Sequence, residues 1–260
     1  MNNIFNINRF GRLFIKHTVE HYKSYLMSLT VLLGVMLLGG GFITYLIPGD
    51  SMDVGMQTAL FTSVLLLAGS IFASTIFADL GDNKKAMASL TLPASHFEKY
   101  LVAWLYSVLI FVIVFTAGFY LILLFLVNLK HFSGPTPEIF NVFNSTNDVG
   151  FQMYLLFALL QSIAFYGAIC FKKLHFIKTA FAFFIVIAIL VLTNQVLLSI
   201  LLRRSVLPTM PFGMLRFMEN NQEKAISLGQ HQGDYALCLI TILIIIFWVA
   251  AYYRLKEKQV

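Results

Sequence analysis

Six stretches of this chain are long, apolar and free of charged side chains: Ser24 to Gly49, Val54 to Ala78, Tyr100 to Leu129, Val149 to Phe171, Thr179 to Leu202 and Tyr235 to Tyr253. A helix needs about 20 consecutive apolar residues to cross the hydrocarbon core of a bilayer. One charged side chain at a helix centre costs roughly 2.5–3.5 kcal/mol on the insertion scale. Six clean windows parted by charged joints therefore predict six transmembrane helices. A β-barrel would show segments of about ten residues alternating apolar and polar, whereas "LITILIIIFWVAAYY" is apolar on every side. The expected fold class is all-α, a polytopic integral membrane protein. Composition agrees: 59% of residues are hydrophobic and 12% charged, against roughly 45–50% and 25% in soluble domains. With 260 residues, six spans leave no room for a separate soluble domain. The first window exceeds a typical leader h-region and runs into "TYLIPGDSMD" rather than a small-residue cleavage site, so it is expected to stay in the membrane.

Lys and Arg in the joints give the orientation. An even number of spans puts both termini on one side, and that side also holds the second and fourth joints. It carries thirteen cations: Arg9, Arg12, Lys16, Lys23, Lys84, Lys85, Lys99, Lys172, Lys173, Lys178, Arg254, Lys256 and Lys258. The opposite side carries five: Lys130, Arg203, Arg204, Arg216 and Lys224. The positive-inside rule then places both termini in the cytoplasm, and the net charge of +6 serves topology, with no nucleic-acid partner implied. Residues 1–23 have a pattern of their own. Ile7, Phe10, Leu13 and Phe14 recur at helical spacing, with Arg9, Arg12, Lys16, Glu20 and Lys23 on another face. This predicts an N-terminal amphipathic interfacial helix, its basic face toward anionic lipid headgroups. The six-helix domain then occupies 24–253, and 254–260 form a cytoplasmic tail.

Motifs for chemistry are absent. There is no phosphate-cradling G-x-x-x-x-G-K-[ST] loop and no H-E-x-x-H zinc signature. The six histidines, at 17, 21, 96, 131, 175 and 231, are scattered; His17 and His21 share an i,i+4 spacing within the basic helix. No cofactor or metal site is expected, and no enzyme activity in this chain. Cys170 and Cys238 fall toward opposite faces of the bilayer, so packing is the expected role. "GGG" at 39–41 lies inside a span, where close helix packing or a kink is expected. "NST" at 144–146 fits a glycosylation acceptor. Polar residues within the spans are mild: Ser28, Thr30, Thr58, Ser63, Thr116, Gln161, Ser162, Asn194 and Gln195. The missing intramembrane carboxylates weigh against an ion-coupled carrier or an intramembrane protease.

The joint between the second and third spans, "FADLGDNKKAMASLTLPASHFEKYL" (77–101), carries the densest local signals. Asp82 fits an N-cap for "NKKAMASL", a short helix with Met87 and Leu90 on one side and Lys84 and Lys85 elsewhere. "TLP" ends it, because the residue before Pro93 is pushed out of the α region. Ser95 and Glu98 form a capping-box sequence, S-x-x-E, that starts the third span. The joint is thus expected to be a short helix coupled through an ordered break to a membrane helix.

In this combination the chain resembles the permease subunits of ABC type-2 transporters. The basic amphipathic helix, six spans with both termini inside, and above all "F-x-D-L…K-K…L-T-L-P-A-S…E-K" over Phe77 to Lys99 carry the resemblance. The resemblance implies a coupling segment, Asp82 to Leu92 (Asp82, Lys84, Lys85, Met87, Leu90, Leu92), seated in a groove of a separately encoded ATPase subunit. It implies a turn into the third span built from Pro93, Ser95, Glu98 and Lys99, and re-entrant helices within Arg203 to Asp234. It also implies an exporter in the bacterial inner membrane, with two permease chains (homodimer or heterodimer) on two nucleotide-binding subunits. The rival from another class is a membrane scaffold or sensor that uses the same helix to hold a cytoplasmic partner without moving a substrate.

Overall fold

The computed structural model describes residues 5–46, 53–77, 94–129, 138–143, 149–171, 174–202, 215–219, 222–226 and 232–257. Six long helices dominate. They are α1 (Ile7–Leu46), α2 (Val54–Thr75), α3, α4 (Val149–Cys170), α5 (His175–Leu202) and α6 (Gln232–Glu257). Helix α3 comprises α-helical His96–Leu105, a π-helical turn Tyr106–Ile110 and α-helical Phe111–Leu129. All six are long and apolar enough to cross a membrane. The protein is therefore an all-α polytopic integral membrane protein, and the charge-free windows locate its helices to within a few residues, α1 excepted. There the basic segment and the first apolar window form one continuous helix of 40 residues. No proline interrupts "IKHTVEHYKSYLMSL", so nothing stops helical propagation across the boundary. At 1.5 Å per residue α1 is about 60 Å long, twice the roughly 30 Å hydrocarbon core.

Contacts at four levels set α1 beside α3 in parallel. Arg9 meets Glu98 and Thr18 meets Tyr106. Farther along, Leu33 lies against Gly118, and Gly40 lies against Leu126. A Cβ on Gly40 would stand 2.5 Å from Leu126 Cδ1, so the middle of the "GGG" triplet serves close packing without ending the helix. Both termini lie at one end of the bundle, since Phe97 at the start of α3 touches Phe5 and Tyr252.

Helix α4 is the central element: half of its apolar stretch is buried inside the chain, and none of that of α5 is. Lipid is as apolar as leucine, so helices in a bilayer gain from tight packing and polar links rather than from hydrophobic burial. Small residues provide the fit. Gly69 of α2 lies under the Phe157 ring of α4, and Gly167 of α4 lies under Thr179 of α5. One core cluster centres on Phe61, Phe111, Phe115, Phe119 and Phe157. A second, at the end bearing the termini, joins Phe77, Tyr100, Phe165 and Ala251. Spare hydroxyls bond back to their own helix, as Thr18, Thr30, Thr58, Thr62 and Thr241 do to the carbonyl four residues earlier, which satisfies them where water is excluded.

Between α5 and α6 two short strands are described. They are antiparallel, β1 (Leu215–Glu219) and β2 (Gln222–Ile226), with Glu219 opposite Gln222; 203–214 and 227–231, where the resemblance implies re-entrant helices, lie outside the described residues. Cys170, at the end of α4 near the termini, and Cys238, on the first turns of α6 at the far end, are both free. The "NST" acceptor lies outside the described residues.

The Gly167–Thr179 contact sets the α4–α5 spacing. A Cβ on Gly167 would fall 1.9 Å from Thr179 Oγ1 and 2.8 Å from its Cβ. Gly167→Ala is expected to destabilise the protein by about 1–3 kcal/mol, the usual cost of overpacking, seen as a lower Tm in detergent. Thr179→Gly in the same background should restore part of the loss.

Candidate functional site

Of the joint singled out in the sequence, Phe77 and 94–101 are described. Asp82, Lys84, Lys85, Met87, Leu90, Leu92 and Pro93 lie outside the described residues. Where the joint meets α3, its local chemistry follows the capping-box expectation. Ser95 is the N-cap, its Oγ accepting from the Glu98 N–H at 3.2 Å, while Glu98 Oε2 accepts from the Ser95 N–H at 2.9 Å. Two amides that the first turn leaves without helical partners are thereby satisfied.

The same carboxylate also reaches a second helix. Glu98 is fully buried, and Arg9 of α1 grips it in a fork, Nε donating to Oε2 and Nη2 to Oε1, each at 2.7 Å. The Asn6 N–H donates to Oε1 at 2.9 Å. Asn6 in turn caps α1, its Oδ1 accepting from the Asn8 and Arg9 amides at 3.0 and 3.4 Å. Each Glu98 oxygen thus takes two donors, which fills the acceptor capacity of a carboxylate. The charge also sits at the N-terminal ends of two helices, where the helix dipole favours an anion. Glu98 precedes the charge-free span that begins at Tyr100. The Arg9 fork, with the Asn6 and Ser95 amides, outweighs the cost of burial and holds the Glu98 carboxyl down at about 2.

Other helices close on this clasp. Tyr100 donates its hydroxyl to the Trp248 carbonyl of α6 at 2.8 Å. Phe77, just past the end of α2, packs on Phe165 of α4 with ring centroids 4.9 Å apart. Lys99 is half-buried, and burial with the charges of Lys99 and Lys256 pushes the His96 imidazole down.

Deeper in the bundle, the π-helical turn carries the next polar links. Tyr106 stacks on Phe14 and Tyr25 of α1, at 5.0 and 5.4 Å, and its hydroxyl bonds that of Thr18. His17 and His21 stack on each other at 4.5 Å, and His17 Nε2 bonds the Tyr25 hydroxyl at 2.6 Å. The i,i+4 histidine pair is thus part of an aromatic stack, and no group of three metal-ligating side chains occurs among the described residues. The next residue, Ser107, accepts a hydrogen bond from Gln161 Nε2 of α4 at 2.9 Å. Gln161 Oε1 accepts from Trp248 Nε1 of α6 at 3.0 Å. One buried amide therefore ties α3, α4 and α6.

The sequence marked Ser95, Glu98 and Gln161 and missed their partners. Arg9 registered as a topological cation and as part of the basic face of the amphipathic helix, and Ser107 and Trp248 not at all; no spacing rule links positions 89 or 87 residues apart. A π turn has no residue signature of its own. No protein-family model, curated protein or solved structure matches the chain.

Glu98→Gln keeps the shape of the side chain but removes its charge, and should cost about 1.5–3 kcal/mol, the worth of hydrogen bonds to a charged group. Arg9→Lys should lose most of the fork's contribution, because an ammonium cannot make the two parallel bonds. Since the folded carboxyl lies below its ordinary value of 4.5, at about 2, its contribution is complete above about pH 4.5 and is lost as pH falls toward 2. Thermal unfolding in detergent across pH 2–6 checks this: wild type should lose stability over that interval more steeply than Glu98→Gln.

Proposed function

We propose that this chain is the membrane-spanning permease subunit of an ABC-2 type exporter, itself without ATPase activity. Both termini face the cytoplasm from the bacterial inner membrane, and the chain works as one of two permeases on two ATPase subunits. The observation that supports this reading best is the Glu98 clasp at the end of the joint. A coupling helix is useful only if its motion is handed on, and the clasp binds the N-termini of α1 and α3 to the residue where the joint ends. Closure of the ATPase pair would press on 82–92, and the force would enter the bundle through Ala94 and the Ser95 cap. Lys84 and Lys85 are suited to acidic side chains of the partner, Met87 and Leu90 to an apolar groove. The anionic face of the bilayer complements the basic positions of 1–23.

The test is co-purification of the chain with the ATPase subunit encoded beside it. A stable complex is expected, together with ATP-dependent transport by reconstituted vesicles. Met87→Asp with Leu90→Asp should abolish the complex while leaving Tm unchanged. An intact complex in that variant, or no complex with the wild type, would overturn the assignment. A complex that never drives transport would instead favour the scaffold reading.

A further inference from the structure

Three helices fix how deep α1 lies. Thr18 of α1 bonds Tyr106 of α3, and Gln161 of α4 joins the next residue of α3, Ser107, to Trp248 of α6. From this level the first cation toward the termini is Lys99 on α3 and Arg254 on α6, seven and six residues away. Thr18 therefore sits about 10 Å inside both charge-free spans. Glu20 and Lys23 lie two and five residues farther in, about 13 and 17 Å from that edge, near the middle of a hydrocarbon core of about 30 Å. Arg9 and Arg12 stay at the edge.

Lys16 and Glu20 pair at 3.6 Å; both are exposed, as is Lys23, whose Nζ stands 5.9 Å from the Tyr22 ring. With Met27, Thr30 and Gly34 they form one exposed line along α1, at alternating intervals of four and three residues, the spacing of a coiled-coil seam. The line is turned away from α3, which takes the other side of α1 through Phe14, Thr18 and Tyr25. Gly34 has open space where a Cβ would stand. Lipid does not suit this line, because a charge at membrane depth faces protein or water. Where the bundle does meet lipid it is apolar: α5, entering beside Gly167 at Thr179, exposes Phe181, Phe184 and Ile185, and α1 itself exposes Ile15, Val19 and Leu26 on an adjoining stripe.

We propose that this line is where two copies of the chain meet, α1 against α1 about a two-fold axis normal to the membrane. Copies inserted in one orientation hold their α1 helices parallel and level, so the line faces itself. It carries both signs and is therefore complementary to itself. Lys16 of one copy lies one turn from Glu20 of the other, about 6 Å along the axis, which a lysine side chain spans. Charges that lipid does not accept are thereby paired between chains. Gly34 lets the two backbones close toward the far side, as small residues do between membrane helices. The interface deepens the exporter reading by making its two permeases copies of one chain, and dimerisation of the chain alone reads it, with no ATPase present.

The test is disulfide trapping of the full-length chain in membranes, with Cys170 and Cys238 replaced by serine. Met27→Cys, on the line, should give a covalent dimer on mild oxidation, and Leu26→Cys, one residue round the helix, should not. Two further variants carrying Met27→Cys read the charges across the interface. Lys16→Glu/Lys23→Glu makes the line wholly negative and Glu20→Lys makes it wholly positive. Each alone should lose trapped dimer by about tenfold, and their co-expression should restore it as a heterodimer. No dimer from Met27→Cys, equal trapping from Leu26→Cys, or inserted chains of opposite charge that fail to pair would overturn the proposal. So would a Met27→Cys monomer labelled by a water-soluble maleimide, which would assign the line to a water-filled path. If the charge variants do not insert, trapping at residue 27 on the otherwise native line decides. A missing dimer beside an intact ATPase complex would refute this interface and leave the exporter reading standing.

Discussion

The Glu98 carboxylate is the constraint on which the end of the bundle bearing the termini is built. A buried charge is tolerated only when its partners are complete, and here they come from two sequence-distant helix starts, Asn6 and Arg9 on one side and Ser95 on the other. Removing any one donor leaves the anion under-satisfied, so the clasp fixes the relative register of α1 and α3 at this end. The parallel contacts farther along, from Thr18–Tyr106 to Gly40–Leu126, continue the register that the clasp sets.

The same device recurs at two other levels. Gln161 in the middle and Gln57 at the far end are, like Glu98, fully buried side chains with a two-atom polar head. Each bridges elements that no apolar contact would orient uniquely: Gln161 joins α3, α4 and α6, and Gln57 joins α2 to the segment before α4. Within a bilayer such links specify a fold with few residues. Leucine gains little by leaving lipid for protein, whereas an amide or carboxylate has few acceptable positions. The π-helical turn at 106–110 places Tyr106 toward α1 and Ser107 toward Gln161, so one irregularity in α3 serves two of these links. The clasp joins α1 and α3 at one end, and at the other the Gln57 and Tyr120 side chains hold the backbone of 138–142.

Legibility in the sequence followed the range of the physics. The span count, the starts of α2 and α4 and the Ser95–Glu98 box depend on charge, hydropathy and contacts within three residues, and each stands in the structure where the residues place it. Continuity of α1 was hidden because amphipathic and apolar stretches look like separate elements although no helix breaker divides them. The strand pair of 215–219 and 222–226 was hidden because five-residue strands carry little periodic signal beside long apolar spans.

By itself, then, the sequence determined that this chain lives in a membrane, how many helices cross it and where a capped joint enters the third, because a bilayer punishes exposed charge and unpaired backbone position by position. Only the tertiary structure decided that Glu98 belongs to α1 as much as to α3, that Gln161 ties three helices, and that Gln57 and Tyr120 hold the backbone of 138–142. In each case the partner lies tens of residues away, and buried polar groups choose partners by distance and direction in space.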